Sequence, residues 1–198
     1  MKSNRTLILN ALLIVILFMS CKKEENNPTP TPPPPPTIAI GESYQGGKIA
    51  YILQVGDIGY DANVTHGLIA VAGNQNKIWG CQEFTISVAD GTAIGTGAQN
   101  TIDIMNGCST AGIAARFCGD LVHSGYSDWY LPSKNELNKL YINRVAIGGF
   151  NNTNNSGYWS STEYENSDVA WTQRFGDGMQ YGSTKNGTNN YVCFVRSF

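Results

Sequence analysis

The sequence predicts an α+β domain in which two helices pack on small antiparallel sheets, with long irregular loops between the elements. Short apolar runs bounded by glycine, typical of strands, lie near both ends of the domain. Two segments with helical features lie between these groups of strands. Strands, then two helices, then more strands favour α+β.

Two strands are expected first, at residues 48–53 and 67–72. The next stretch, residues 73–107, is rich in Gly, Asn, Thr and Ala, with Trp79 and Cys81 as its expected buried points. An irregular region of this length is uncommon in a compact domain. Such regions are usually held by a crosslink such as a disulfide, or have a function.

The first helix is predicted over residues 110–123, where apolar side chains recur at spacings of three and four, and Gly125 provides its stop. The second begins after Pro132, where Ser133 and Glu136 are spaced to form a capping box. Further strands are expected at residues 158–162, 169–175, 179–181 and 191–198. The Gly-Asp-Gly triplet at 176–178 indicates a hairpin.

The N-terminus has the pattern of an export signal. Lys2 and Arg5 precede a 12-residue apolar run at 7–18, which ends just before Ser20 and Cys21. Spanning a bilayer takes about 20 apolar residues, so cleavage is favoured over an uncleaved membrane anchor. The segment resembles a bacterial lipoprotein signal peptide, which implies that Cys21 becomes the lipidated N-terminus and anchors the protein to the membrane.

Three regions follow from this pattern: a signal peptide at 1–20, a lipidated cysteine with a proline-rich linker at 21–37, and a domain at 38–198. Seven of the eight prolines lie in the linker, which therefore favours an extended polyproline II spacer. The domain carries 9 Lys and Arg against 13 Asp and Glu, a net charge of 9 − 13 = −4. Without a basic cluster it lacks the footprint of a nucleic-acid binder, and polyanionic glycans are disfavoured as the main ligand.

The cysteine count supports the same organisation. Lipidation of Cys21 removes the odd member of five and leaves four, which in an exported domain predict two disulfides with three pairings open. We favour Cys81–Cys108, which closes a loop, and Cys118–Cys193, which joins a helix to the final strand. A Cys108–Cys118 pair would strain the helix between them. A zinc site is disfavoured because no CxxC or His-rich spacing is present.

No catalytic constellation, metal site or cofactor is predicted. Of the two histidines, His123 is expected to end a helix, where the helix dipole favours an imidazolium. His66 is expected to be a polar surface residue. The hydroxyls of Ser160 and Ser161 beside Glu163 are expected to be hydrogen-bonded parts of a strand rather than a nucleophile with its base.

The aromatic residues offer the best ligand candidates. Trp129 and Trp159 are expected in the core. Trp171 and Tyr181 are expected at the surface, near loops that are rich in asparagine. Exposed rings beside Asn amides suit hydroxyl-rich ligands, so the predicted contact residues are four in number: Trp171, Tyr181, Asn154 and Asn189.

Three runs carry a family resemblance: GYSDWYLPS at 125–133, YWSSTE at 158–163 and VCFVR at 192–196. Together they resemble the C-terminal domain of the collagen-like bacterial adhesin Lcl, over about residues 41–198. This resemblance implies a C-type-lectin-like fold, and it also supports the Cys118–Cys193 pair. The formylglycine-generating enzyme has a similar Leu-Pro segment, but the cysteines here are better explained as structural, so that activity is disfavoured.

The triplets by which calcium-dependent lectins bind sugars do not occur in the sequence, so calcium-independent binding is expected. The predicted function is that of a non-enzymatic lipoprotein of the outer membrane, displayed on the cell surface, that binds a carbohydrate or a surface protein. A structural or assembly role in the envelope is the alternative, and a periplasmic orientation stays open.

Overall fold

The computed structural model describes residues 38–86, 88–165 and 168–198. The signal peptide, Cys21 and the linker lie outside them, so the predictions made for those segments stay predictions. The described residues form seven strands and four helices, two helices more than expected: β1 (Ser43–Tyr44), β2 (Gly47–Ile52), β3 (Gly67–Asn76), α1 (Gly97–Gly107), α2 (Ala114–Gly119), α3 (Lys134–Ile142), α4 (Arg144–Ile147), β4 (Tyr158–Glu163), β5 (Val169–Gln173), β6 (Gln180–Thr184) and β7 (Tyr191–Ser197).

All seven strands belong to one open sheet, in the order β1-β2-β3-β7-β4-β5-β6. Neighbours are antiparallel except β4 and β7, which run parallel and pair at Tyr158 and Tyr191. The mixed α and β content agrees with the predicted class. The expected small antiparallel sheets were wrong, because the last strand inserts between β3 and β4 and joins them into a single sheet.

Helices cover both faces of the sheet, and alternation along β7 shows the division. Phe194 packs with Ile104 of α1 and with α2, in the core that also holds the three tryptophans Trp79, Trp129 and Trp159. Val195 points the other way and packs with Leu137 of α3 and with α4. The prediction that Trp129 and Trp159 are core residues is confirmed, since they are 2% and 0% exposed.

The helix after Pro132 begins where its capping box predicts. The Ser133 side chain accepts from the Glu136 backbone, and the Glu136 carboxylate accepts from the Ser133 backbone. The helix expected over 110–123 is only the six residues of α2, because Gly112 has φ +70° and Ile113 is the N-cap. Helix α1 lies inside the stretch predicted to be irregular.

A disulfide joins Cys81 to Cys108, as predicted. It ties the start of the loop after β3 to the residue that follows α1. This bond stabilises the longest irregular part of the described chain by restricting its unfolded state.

The predicted Cys118–Cys193 disulfide was wrong, because both residues are buried free thiols. Cys118 lies on the face of the sheet that Phe194 occupies, where its thiol donates to the Cys193 backbone carbonyl at 3.7 Å. The Cys193 side chain points to the opposite face and packs with Phe175. The backbone of β7 therefore separates the two side chains, since successive residues of a strand alternate between faces.

Among residues 38–198, apart from the three positions not described there, no helix is long and apolar enough to cross a membrane.

Candidate functional site

A loop over residues 81–92, here called the 81–92 loop, forms one wall of the candidate site; the structure describes all of it except residue 87. Strand β4 fixes its middle. Both carboxylate oxygens of Glu163 accept from the Ile86 backbone N–H, at 3.0 and 2.8 Å. The Glu163 backbone N–H donates to the Ala89 carbonyl at 2.7 Å.

A buried ion pair reinforces this attachment. Glu163 pairs with Lys185, and the two side chains are 3% and 0% exposed. Lys185 Nζ also donates to the Phe84 carbonyl at 2.7 Å and lies 4.8 Å from the centre of the Trp79 ring. Because removal of one partner would leave the other charge buried and unpaired, the pair holds the loop to the sheet.

The far end of the loop is bound by three different elements. The Gly91 carbonyl accepts from Thr162 Oγ1 of β4 at 2.8 Å and from Asn100 Nδ2 of α1 at 2.7 Å. The Thr92 carbonyl accepts from the Asn135 backbone N–H of α3 at 3.0 Å. The described residues of the loop lack regular secondary structure, yet directed hydrogen bonds hold its backbone at five positions: Phe84, Ile86, Ala89, Gly91 and Thr92.

Between this loop, the end of β4 and the start of α3 lies a cleft of about 530 Å³, here called the Trp171 cleft. Its lining combines two aromatic rings with hydroxyl and charged groups: Thr85, Ile86, Asp90, Thr92, Lys134, Glu163, Tyr164, Glu165 and Trp171. The Tyr164 and Trp171 rings are tilted by 49° with centroids 4.6 Å apart. Lys134 Nζ lies 3.2 Å from the centre of the Trp171 ring, the arrangement of a cation–π contact.

The charges in this cleft are unevenly compensated. Glu163 is neutralised by Lys185 beneath the surface. Lys134, Asp90 and Glu165 form no ion pair with any residue that the structure describes. Partial burial lowers the pKa of the Lys134 ammonium, because desolvation disfavours its charged form.

Buried Glu136 positions Lys134 at the first turn of α3. Its carboxylate accepts from the Ser133 backbone at 2.7 Å and from the Gly95 backbone at 2.8 Å. Burial raises the pKa of Glu136, and the backbone donors act against that rise. The Lys134 backbone N–H donates to Thr162 Oγ1 at 3.0 Å, so α3, β4 and the 81–92 loop meet at the cleft.

Of the four predicted contact residues, Trp171 alone lines this cleft. Tyr181 pairs with Thr172 across β5 and β6, while Trp171 pairs with Gly182. Because side chains alternate along a strand, Trp171 and Tyr181 point to opposite faces of the sheet. Tyr181 lies instead near Arg174, whose guanidinium carbon is 5.9 Å from the ring centre.

Asn154 and Asn189 are both exposed, and neither lines the Trp171 cleft. Asn154 lies beside Gly176, where a Cβ atom would approach its Oδ1 to 2.0 Å. The neighbouring Asn190 is buried instead, and its side chain accepts from the Gly157 backbone N–H at 3.1 Å. The structure thus does not assemble the four residues into one site.

Sequence reasoning missed Lys134, Asp90, Tyr164 and Glu165. Lys134 is the first residue of α3, so its place at a helix start was implicit in the predicted capping box, but its proximity to β4 was not. Tyr164 and Glu165 directly follow β4, two and three residues after the end of the strand predicted at 158–162. No signal in the sequence marks Asp90, which reaches the cleft through the fixed path of the 81–92 loop.

A second, more open cleft of about 630 Å³ lies between the β1–β2 hairpin, β3 and the end of α4. Its lining includes His123, which the structure places after α2 rather than at a helix end, because α2 ends at Gly119. His123 Nε2 lies 3.0 Å from the Gly46 carbonyl oxygen. The walls are mainly glycine and small side chains, so this cleft offers fewer groups for recognition than the Trp171 cleft.

The remaining candidates for chemistry are parts of the scaffold. Ser160 and Ser161 are buried; Ser160 Oγ donates to the Trp171 carbonyl at 3.0 Å, and Ser161 Oγ accepts from Asn100 at 3.4 Å. His66 is half-buried rather than free surface, with Nδ1 3.0 Å from the Phe198 carbonyl oxygen. No group of three or more His, Cys, Asp or Glu within the described part of the chain is placed to hold a metal ion.

The fold and this cleft define a mixed α/β domain with a candidate surface site beside a disulfide-anchored loop. The family model of the Lcl C-terminal domain matches residues 74–196, which include every residue that lines the Trp171 cleft. The chain therefore belongs to the Lcl C-terminal domain family, which relates it to the C-terminal domain of a bacterial surface adhesin. No curated protein matches the chain.

Proposed function

We propose that this protein is a non-enzymatic recognition lipoprotein whose domain binds a carbohydrate in the Trp171 cleft. The proposal rests on one observation: an open cleft with two aromatic rings and several polar groups, whose walls are already fixed. Preformed sites of this kind bind with less loss of conformational freedom than mobile loops do. Membership of an adhesin-related family supports a recognition role.

Two finer features belong to the proposal. The fold is C-type-lectin-like, a likeness supported by the pairing of β3 with the C-terminal strand β7 and by the helices between them. Binding is independent of calcium, because the sequence lacks the acidic and amide triplets of calcium-dependent lectins.

The remaining part of the proposal concerns location. Lipid on Cys21 anchors the protein in the outer membrane, and the proline-rich linker holds the domain away from it, at the cell surface. Radiolabelled palmitate incorporation into the natural chain but not into the Cys21→Ser variant tests the anchor. Protease treatment of whole cells tests the orientation, and a protected domain would place it on the periplasmic side.

A glycan array probed with the full chain in detergent, with and without a chelator, tests carbohydrate binding. We expect binding to a restricted set of glycans that a chelator does not change. Trp171→Ala should abolish it, whereas Tyr181→Ala, on the opposite face, should not. Absence of binding to any glycan, or equal loss in both variants, would contradict the proposal.

A structural or assembly role is the second candidate, favoured by a specific feature of the 81–92 loop. Phe84 and Val88 are 67% and 60% exposed although the backbone that carries them is fixed. Large exposed apolar side chains on a fixed loop suit a protein partner. Crosslinking in intact cells distinguishes the roles, because only the assembly role requires a constant protein neighbour that Phe84→Ser removes.

A further inference from the structure

We propose that the Trp171 cleft selects ligands that carry an organic ammonium group, and specifically sugars with a free amine. This inference rests on the proposed carbohydrate function and specifies its ligand class. Three features of the cleft support this inference. A cation already lies on the aromatic ring, two carboxylates have no cationic partner among the described residues, and the net charge of the cleft is negative once the buried ion pair is left out.

The Trp171 ring already holds a cation. Lys134 Nζ lies 3.2 Å from the ring centre, and Tyr164 supplies a second ring beside it. The negative face of an indole attracts an ammonium group most strongly where water is partly excluded. The Lys134 contact therefore marks the place in the cleft where a positive charge is stabilised.

The two unpaired carboxylates lie in the same cleft. Asp90 comes from the 81–92 loop and Glu165 from the end of β4, and neither forms an ion pair with a residue that the structure describes. Since Lys185 neutralises Glu163, the charges that remain are one positive and two negative. The cleft is thus net negative, as is the domain.

These features make Lys134 an exchangeable occupant of the ring face. Its ammonium has lost part of its hydration, which lowers its pKa, and it has gained no carboxylate in return. The side chain is flexible and half-exposed, so it can return to water. A ligand ammonium placed at the ring would also meet the carboxylates, and the hydroxyls of Thr85 and Thr92 are available to the sugar.

Acidic sugars fit this cleft less well. A uronate or sulfate could pair with Lys134, but it would then lie among Asp90 and Glu165, and like charges repel in a partly desolvated site. A neutral sugar would gain only stacking and hydroxyl contacts. We therefore expect sugars with a free amine to bind most tightly, neutral sugars less tightly, and acidic sugars least tightly.

Oligomers of glucosamine and of N-acetylglucosamine form the decisive pair of probes. They share a sugar backbone, but the nitrogen is a charged amine in the first and a neutral amide in the second. Titration calorimetry with the full chain in detergent should show about tenfold tighter binding of the amine form, the value of one cation–π contact or ion pair. Equal or tighter binding of the acetylated form would overturn the amine inference while leaving carbohydrate binding intact. If neither oligomer nor any array glycan binds, the proposed function fails as well.

Variants separate the cleft from general electrostatics. Asp90→Asn with Glu165→Gln should remove the preference for the amine form. Lys134→Met should strengthen amine binding by freeing the ring face, whereas Lys139→Met, a change of equal charge on the same helix, should leave it unaltered. Weaker binding in Lys134→Met would show that Lys134 contacts an anion, and would overturn the inference. Choline provides a further arm: binding of choline without any amino sugar would also contradict it.

Discussion

Replacement by methionine of Lys185, the residue that follows β6, should destabilise the domain far more than the same replacement of an exposed lysine. The Lys185 side chain is fully buried and makes three contacts: with the Glu163 carboxylate, with the Phe84 carbonyl and with the face of Trp79. Methionine fills similar volume but leaves the Glu163 charge buried with only the Ile86 backbone donor.

The size of the effect follows from that loss. Removal of one partner of a buried ion pair costs about 3–5 kcal/mol in unfolding free energy. For a chain of this length each kcal/mol lowers the melting temperature by about 2–4 °C, so Lys185→Met should melt about 6–20 °C lower. Adding Glu163→Gln should recover part of the loss, because the amide is uncharged and still accepts from Ile86.

Urea unfolding followed by tryptophan fluorescence, with the disulfide intact, measures these differences. Lys48→Met is the matched control, since Lys48 lies on β2 and its ammonium makes an exposed hydrogen bond to Ser43 at 3.0 Å; it should change the unfolding free energy by less than about 1 kcal/mol. The reasoning would be refuted if Lys185→Met cost no more than this control, or if Glu163→Gln made the Lys185→Met protein still less stable.

Three further results are expected. The Cys81→Ala, Cys108→Ala double variant should lose about 3–4 kcal/mol in urea unfolding, the chain-entropy value for a loop of this length; no loss would mean that the loop is held without the disulfide. Burial raises the pKa of the Cys118 thiol, so it should react with a maleimide only as the protein unfolds, and rapid labelling would contradict its burial. Hydrogen bonds from Arg196 lower the pKa of Asp128, so their stabilisation is present above about pH 4 and is lost as the pH falls; Asp128→Asn should flatten acid unfolding.

Local patterns predicted the strands and one helix well. The glycine-bounded run at 67–72 is the start of β3, and the Gly-Asp-Gly triplet joins β5 to β6 as an antiparallel pair. Helix α3 starts at its capping box. In each case the information lies within a few residues, where periodicity and backbone hydrogen bonding act directly.

Helix α1 could not be predicted because its inner face is largely polar. Asn100 and Thr101 are buried there, and each uses its side chain to satisfy a backbone carbonyl, of Gly91 and Gly97 respectively. Only Ile104 contributes a large, fully buried apolar side chain. Such a helix depends on tertiary hydrogen bonds, so hydrophobic periodicity does not reveal it.

The candidate site depends even more on distant contacts. Trp171 was predicted to be at the surface from its strand and its neighbouring loops, and it does line the cleft. Its partners come from three other segments, and the pairing of Glu163 with Lys185 joins residues 22 apart. Tyr181 lies on the other face because it pairs with Thr172 rather than with Trp171, and a difference of one residue in the β5–β6 register reverses the face.

The central position of β7 determines how late in synthesis the complete sheet of this domain can form. The strands β1, β2 and β3 and the strands β4, β5 and β6 form two groups that only β7 joins. The final residues of the chain must therefore be synthesised and leave the ribosome before the sheet can close. The Cys81–Cys108 bond can form earlier, since both residues precede β4. A nascent chain that ends before Tyr191 would present two open sheet edges to chaperones and proteases, so completion of the C-terminus acts as the checkpoint for folding.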